Sequence, residues 1–177
     1  MDEKINIGAN AFLYPMPMVL VGTEVEGRAN FMAVAWATRV NGKPPMMAVA
    51  LNQRHYTPTG IRECQTFSIN IPTVDLIART DYCGLVSGRE TNKSDVFDLF
   101  YGDLGTAPMI KECPLCIECK LVDVVSLPSH YLFLGEVMAV FADKDCLTEG
   151  KPDIEKMNPF VLTMPDNNYW AIGVSSQ

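Results

Sequence analysis

The sequence predicts a mainly β protein, a small Greek-key-like antiparallel barrel into which short helices are inserted. Two observations lead to this fold class. About six β-rich runs follow one another along the chain, most of them joined by short turns. The helical patterns between them are few and short, whereas a doubly wound parallel sheet needs regular alternation of strands with longer helices. At 177 residues the chain fits one domain, residues 1–177, with a single sizeable core.

The strands are predicted from apolar runs and from the turns between them. "PMVLVGTEVEGRANFMAVAWATRV" contains two β-rich runs, and Gly27 within "EVEGR" supplies the turn of a hairpin. "PPMMAVALN" begins directly after a turn, and "TFSINIP" alternates apolar with polar side chains, so each predicts a strand. "CIECKLVDVVSLPSHYLFLGEVMAVFAD" predicts a second hairpin, with its turn at Ser126–Ser129.

Two short helices are predicted between these strands. In "HYTPTGIRECQ", Thr57 is the expected N-cap and Pro58 suits the first helical position, whose N–H has no intrahelical partner. In "TVDLIARTDYCGL", Thr73 is the expected cap, and Leu76 and Ile77 share one apolar face. The later segment "VFDLFYG" is predicted to form a short helix or a turn.

Charge and composition argue against several classes of partner. The net charge is −7 and no run of three or more Lys or Arg occurs, so the basic footprint needed for nucleic acid is missing. The N-terminus carries two acids before its first lysine, and Pro15 and Pro17 interrupt its most apolar part. We therefore expect no signal peptide, no membrane partner, a cytoplasmic location and reduced thiols.

The three closely spaced cysteines of "CPLCIEC" have the C-x₂-C-x₂-C spacing seen in iron–sulfur proteins. The stretch continues into a predicted strand, where residues three apart point to opposite faces. Cys116 and Cys119 are therefore not expected to reach one metal ion, and no metal site is predicted. A metal-binding protein built on Cys113, Cys116 and Cys119 stays as the alternative.

"NFMAVAWATR" combines small residues with a tryptophan on a predicted strand. Small side chains let another backbone or a flat ligand approach the strand closely. By itself the same pattern also fits a tightly packed barrel face, in which Trp36 fills a hole.

"SGRETNKSD", residues 87 to 95, is polar and flexible between two apolar stretches. A phosphate dianion needs backbone N–H groups in a turn that glycine permits, one or two hydroxyls and a cation, all of which this segment contains. The alternative is a solvated loop that leads to a helix capped by Asn92 or Ser94.

The order of these pieces resembles a known family. "PMVLVGT", "NFMAVAWAT", "PPMMAVAL", "HYT", "FSINIP" and "CGLVSGRETNKSD" together resemble the flavin reductase-like, FMN-binding split-barrel family, and within it the flavoredoxin-like proteins. The resemblance covers the chain from about Tyr14 to Trp170. It implies an FMN-binding split barrel that forms a homodimer, with the flavin near the subunit interface.

The resemblance also implies the residues of the cofactor site. It places the FMN phosphate and ribityl chain at Asn30, Trp36, Thr38, Ser87, Gly88 and Lys93, with Thr57 nearby. It extends the cofactor-binding set to Met32, Ala33, Ala35, Ala37, His55, Asn70 and Ile71. Many members carry Ser or Thr near the reactive edge of the flavin at the position of Met32.

The function implied is that of a flavoprotein oxidoreductase, which passes electrons from NAD(P)H or a redox-protein donor through bound FMN to an acceptor. Because the flavin carries the electron chemistry, no catalytic side chain is required or predicted. Two further possibilities stay open at this point, an FMN electron carrier that does not oxidise NAD(P)H directly and a related barrel that has lost its flavin. The sequence does not distinguish NADH from NADPH or identify the acceptor.

Overall fold

The computed structural model describes residues 3–173. The strands are β1 (Met16–Pro17), β2 (Val19–Val25), β3 (Arg28–Val34), β4 (Ala37–Asn41), β5 (Met46–Asn52), β6 (Thr66–Ile71), β7 (Leu99–Phe100), β8 (Met109–Ile110), β9 (Leu115–Ser126), β10 (His130–Ala142), β11 (Leu147–Thr148), β12 (Lys151–Pro152), β13 (Phe160–Thr163) and β14 (Asn168–Ala171). The helices are α1 (Thr57–Cys64), α2 (Ile77–Leu85) and α3 (Ile154–Met157), with 3₁₀ turns at Val74–Leu76 and Lys144–Cys146.

Seven strands form the main sheet, in the order β3-β2-β6-β9-β10-β5-β4, and every pair in it is antiparallel. The two outermost strands, β3 and β4, follow each other in the chain with Ala35 and Trp36 alone between them. Because two residues cannot cross the width of a flat seven-stranded sheet, the sheet must curl until its edges meet. The result is a split barrel, as the sequence predicts, with its seam at Ala35–Trp36.

Both predicted hairpins are confirmed. β2 pairs with β3 through a tight turn in which Glu26 (φ 53°) and Gly27 (φ 73°) both have positive φ. Such turns match the right-handed twist of the flanking strands. β9 pairs with β10 across the short connection that follows Ser126, with Tyr131 opposite Ser126.

Three local predictions need correction. Thr57 is the first residue of α1 and not its cap, since Tyr56 stands at the N-cap position and makes no side-chain capping bond. Thr73 precedes a 3₁₀ turn rather than α2 itself, again without a capping bond from its side chain. "VFDLFYG" contains no helix, because Leu99 and Phe100 form β7 and pair with β8.

The barrel encloses one apolar cluster and carries a second on its outer side. Along β2, Val19 and Val21 point into the barrel, whereas Leu20 joins the cluster packed against α2. The interior is filled by large, fully buried side chains that include Phe67 and Phe133. Each contributes about 1.5–3 kcal/mol by leaving water. Among residues 3–173, none of the helices has the length and apolar character needed to cross a membrane.

Candidate functional site

A cleft beside the barrel seam gathers most of the predicted cofactor residues. Its polar chamber, about 150 Å³, is lined among others by Asn30, Met32, His55, Thr57, Ser87, Gly88 and Lys93. Its aromatic chamber, about 300 Å³, is lined among others by Met32, Ala33, Ala35, Trp36 and His55. Met32 and His55 line both, so the two chambers adjoin each other.

The turn after α2 forms one wall of the polar chamber. The backbone N–H groups of Glu90 and Thr91 donate to the Ser87 carbonyl, which closes the turn. Gly88 packs so closely on Asn30 that an added Cβ would overlap the Asn30 amide oxygen. Only glycine therefore lets this loop approach β3.

Asn30 and Thr57 connect β3 with the start of α1 across the chamber. Asn30 Nδ2 donates to Thr57 Oγ1 at 2.9 Å. Thr57 is the first residue of α1, and its hydroxyl accepts from Asn30 on β3 instead of capping the helix. Asn30 Oδ1 is buried and has no hydrogen-bond partner among the described residues. A buried acceptor of this kind favours a ligand that donates to it.

Lys93 occupies the floor of the polar chamber. Its side chain is buried, and Nζ donates to the carbonyl oxygens of Phe31 at 3.0 Å and Cys83 at 2.9 Å. Burial lowers the pKa of the ammonium group, an effect opposed by Cys83. An ammonium has three donors, so two tie the loop to β3 and α2 and the third is left for a ligand.

The aromatic chamber brings together both histidines of the chain. Trp36 packs against His130 with ring centroids 4.7 Å apart and ring planes tilted by 36°, and His130 Nδ1 lies 2.8 Å from Ser129 Oγ. His55 and His130 both line this chamber. Burial lowers the pKa of His55, and the nearby charges of His130 and Lys93 lower it further.

Asn70 and Ile71 do not line either chamber. Asn70 is fully buried, its Nδ2 donates to the Leu20 carbonyl at 3.0 Å, and its Oδ1 accepts from the Ile110 N–H at 3.0 Å. These bonds connect β6 with β2 and β8, which is a structural role. Ile71 packs against the cluster inside the barrel.

Ala37 and Thr38 line a separate, mostly apolar groove of about 620 Å³. This groove lies between the start of β4 and residues 10–17, and it shares Ala35 and Trp36 with the aromatic chamber. The tryptophan at the seam thus separates two adjoining recesses.

Several residues of the cleft were missed by sequence reasoning. Arg54, Tyr56 and Cys83 line the polar chamber, and His130 lines the aromatic chamber. Arg54 and Tyr56 flank the predicted residue His55, so their position in the chain was an available signal. His130 lies at the start of β10, and nothing local to it indicates a site.

The cysteines of "CPLCIEC" are separated as the strand pattern predicts. Cys116 belongs to the outer cluster with Cys113, and Cys119 lies inside the barrel. Burial raises the pKa of Cys116 and of Cys119 to about 12. The three sulfur atoms therefore do not converge on one metal ion, and the thiols stay protonated.

The polar chamber fits the chemistry of FMN. A phosphate needs backbone N–H groups, hydroxyls and cations, which the Ser87–Gly88 turn, Thr57 and Arg54 provide. The unpartnered Asn30 Oδ1 fits a hydroxyl donor such as those of the ribityl chain. A flat ring system fits the adjoining aromatic chamber, because small residues and Trp36 form its wall.

Comparisons with known proteins agree with this geometry. Flavoredoxin from Methanosarcina acetivorans is 51% identical, with a TM-score of 0.97, and the match covers 99% of this chain and 94% of that one. Flavoredoxin of Desulfovibrio vulgaris (Miyazaki F) is 36% identical, with a TM-score of 0.91 and coverage of 99% and 96%. An FMN-binding protein from Thermus thermophilus, solved with bound p-hydroxybenzaldehyde, is 26% identical, with a TM-score of 0.80 and coverage of 97% and 95%.

The family model described as the flavin reductase like domain matches residues 11–163. That range contains the residues that line the two chambers, apart from Met164. The fold, the order of the strands and the residues of the cleft thus lead to one conclusion. The chain belongs to the flavin reductase-like family of split-barrel proteins.

Proposed function

We propose that this protein binds FMN and acts as an oxidoreductase, taking electrons from NAD(P)H or a redox-protein donor and delivering them to an acceptor. The observation that carries the proposal is that the two chambers adjoin at Met32 and His55. One chamber has the groups that bind a phosphate and a polyol, and the other has room for a planar ring. When bound, the flavin supplies the redox chemistry, and the protein supplies binding, orientation and electrostatics.

Each polar group of the cleft has a distinct task in this proposal. The Ser87–Gly88 turn and Arg54 hold the phosphate, and the third N–H of Lys93 adds a positive charge. Asn30 Oδ1 accepts from a ribityl hydroxyl, while Asn30 Nδ2 stays on Thr57. Trp36 and its partner His130 form one wall of the ring chamber.

The experiment is an absorbance spectrum of the purified protein before and after NADH and then NADPH are added without air, with the released cofactor identified by mass. We expect oxidised-flavin bands near ~450 nm, a released mass matching FMN, and bleaching by one of the two nucleotides. A featureless spectrum that stays unchanged after FMN is added would contradict the proposal.

An electron carrier that binds FMN but does not oxidise NAD(P)H is the second candidate. It is favoured by Met32, which lines both chambers and offers no hydroxyl. A hydrogen bond near the reactive edge of a flavin tunes its potential, and a thioether is only a weak acceptor. A carrier predicts that the flavin bands persist with both nucleotides and disappear only with dithionite or a protein donor.

We further propose that the protein works as a homodimer in a reducing, cytoplasmic environment. The hairpin of β9 and β10 exposes several apolar side chains, namely Val122, Val125, Leu127, Met138 and Val140. Patches of this kind in soluble proteins usually mark an interface, and a second copy is the commonest partner. All six cysteines are free thiols, which supports a reducing compartment.

A further inference from the structure

The apolar groove that Ala37 and Thr38 line is not used by the proposed flavin site. Its volume of about 620 Å³ is within the usual range for a small-molecule site, and it lies between residues 10–17 and the strands β4 and β5. It shares Ala35 and Trp36 with the aromatic chamber. A ligand in this groove, which we call the Trp36 groove, therefore lies next to the ring chamber.

The Trp36 groove combines small side chains with aromatic ones. Ala37 on β4 lines it together with Ala48 and Ala50 on β5, and the two strands pair with each other. Small residues on a sheet let a planar ring lie close to the backbone. The rings of Phe12 and Trp36 also line the groove, with their centroids 6.4 Å apart. Such walls favour a ligand with a flat ring system.

The groove is uncharged. Among residues 3–173, those that line it include no Asp, Glu, Lys, Arg or His, although 20% of the chain is charged. Moving an ion from water into such a site is costly without an opposite charge or several hydrogen bonds. The groove therefore selects a neutral ligand.

Two polar side chains in the groove, Asn10 and Thr38, are able to donate to such a ligand. Thr38 Oγ1 lies 3.4 Å from the Arg39 carbonyl oxygen, which is a long hydrogen bond, so its O–H can turn to a ligand. A neutral ligand with carbonyl oxygens matches these donors.

The proposed dimer surface leaves the groove accessible. The exposed side chains of the β9–β10 hairpin that form this surface do not line the Trp36 groove. Trp36 is 44% exposed, and a large exposed aromatic side chain in a concave, apolar recess is typical of a surface that a ligand covers.

We propose that the Trp36 groove binds a neutral quinone, with its ring over the alanines and one carbonyl oxygen accepting from the Thr38 hydroxyl. A quinone is planar and uncharged, and its carbonyl oxygens are acceptors. It becomes a hydroquinone by taking up two electrons and two protons, one proton on each carbonyl oxygen. These are the two electrons and two protons that fully reduced FMN loses on returning to its oxidised form. The proposal deepens the proposed function and rests on it for the source of electrons, but the binding of the quinone does not depend on flavin.

The first test measures binding without flavin. Menadione is titrated into flavin-free protein by calorimetry, for the wild type, for Thr38→Phe and for the matched control Val40→Phe. Val40 is also exposed and lies two residues further along β4, but it does not line the groove. We expect menadione affinity to fall about tenfold or more in Thr38→Phe, because the new ring fills the groove, and to stay within about twofold in Val40→Phe.

Two further measurements test the chemistry of the groove. Thr38→Val keeps the shape of the side chain and removes the hydroxyl, so it should lower menadione affinity by about two- to tenfold, and it tests the contact even if Thr38→Phe fails to fold. The anionic 1,4-naphthoquinone-2-sulfonate should bind the wild type at least about tenfold more weakly than menadione.

Menadione that fails to bind the wild type, or that loses equal affinity in both phenylalanine variants, would overturn the proposal, as would a sulfonate that binds equally well. Equal losses of menadione and FMN affinity in Thr38→Phe would make the groove part of the flavin site. Conversion of a dimer to a monomer by Thr38→Phe would show that a second copy covers the groove, and both results overturn the proposal. If menadione behaves as expected and FMN does not bind at all, the proposed function fails and the quinone site stands.

The second test shows whether the bound quinone is the electron acceptor. FMN-loaded protein is reduced with light and EDTA and mixed with menadione without air, and the return of the oxidised-flavin band is followed. We expect the rate to reach a plateau with rising menadione in the wild type and in Val40→Phe, and to fall about tenfold or more in Thr38→Phe. Equal rates in the three proteins would overturn the acceptor role.

Discussion

At the scale of single residues, buried polar atoms next to the cleft connect the elements that form its walls. Lys93 is the example, because its ammonium group donates to the backbone carbonyls of Phe31 in β3 and Cys83 in α2. The sequence predicts that Lys93 binds a phosphate. The structure adds a bracing role, in which the side chain holds the loop of residues 88–93 against β3 and α2. The two roles are separable by experiment.

Replacing Lys93 by methionine should destabilise the flavin-free protein. The variant leaves the carbonyls of Phe31 and Cys83 without their charged donor, which costs about 2–3 kcal/mol in the free energy of unfolding. Urea denaturation of flavin-free protein measures this loss. Lys111→Met, at an exposed lysine, is the control, and equal stability of the two variants would contradict the bracing role.

The thiols should divide into two classes of reactivity. Burial raises the pKa of Cys83 to about 11 and that of Cys116 and Cys119 to about 12, and Cys113 is raised in the same way. In the native protein at about pH 8, a thiol reagent should modify only the half-buried Cys64 and Cys146. All six thiols should react in denaturant. Rapid modification of a third or fourth thiol in the native protein would contradict the burial of the other four cysteines.

His55 should make the stability of the flavin-free protein depend on pH. Burial, His130 and Lys93 lower its folded-state pKa below the ordinary value of 6.5, so the unfolded chain binds more protons between the two pKa values. The stability contributed by neutral His55 is present above about pH 6.5 and is lost as the pH falls. His55→Gln should flatten the stability profile between about pH 7 and pH 5, and an unchanged slope would contradict this assignment.

At the scale of secondary-structure elements, close backbone approach determines where the site forms. α1 lies against β2, and its start carries Thr57 to Asn30 on β3. Gly60 makes this approach possible, because its α-carbon faces the backbone of β2 without a side chain between them. The position of the helix, and with it one wall of the polar chamber, depends on that contact.

Gly60→Ala tests the packing of α1. Alanine favours a helix by about 1 kcal/mol over glycine, but its Cβ would overlap the Glu24 carbonyl oxygen and crowd Val25. The steric term should prevail, so we expect a net destabilisation of about 1–3 kcal/mol in chemical denaturation. Gly42→Ala, whose Cβ would meet nothing within 4 Å, should be nearly neutral. A stabilised Gly60→Ala variant would show that α1 can shift.

At the scale of the whole molecule, closure of the barrel creates the cleft. The seam at Ala35–Trp36 brings β3 into contact with β5, so that Met32 on β3 and Ala50 on β5 line the same chamber. The strand order β10-β5-β4 places Trp36 beside His130, at the start of β10. The aromatic chamber therefore exists only in the closed barrel.

Lysine substitutions on the β9–β10 hairpin test the proposed dimer. Met138 and Val140 are about half exposed, and a charge at either position would be buried unpaired in an interface. Met138→Lys/Val140→Lys should shift the protein from dimer to monomer in analytical ultracentrifugation. Ile154→Lys, also about half exposed but on α3, should leave the dimer intact. A wild-type monomer, or a double variant that still dimerises, would contradict the proposal that this hairpin forms the dimer interface.

The sequence by itself determined the structural features that depend on residues close together in the chain. The turn at Gly27, the alternation of "TFSINIP" and the opposite faces of Cys116 and Cys119 follow from backbone geometry and a period of two. The motif order also indicated the family and about half of the residues that line the polar chamber.

Only the tertiary structure decided which distant residues meet. His130 packs against Trp36, and Lys93 Nζ donates to the carbonyl of Phe31. Arg28 and Arg89 line the same pocket. These pairs are separated by about sixty to ninety residues along the chain, so no local pattern encodes their contact. The physical reason is that sheet order and barrel closure, set by burial of the whole core, bring them together.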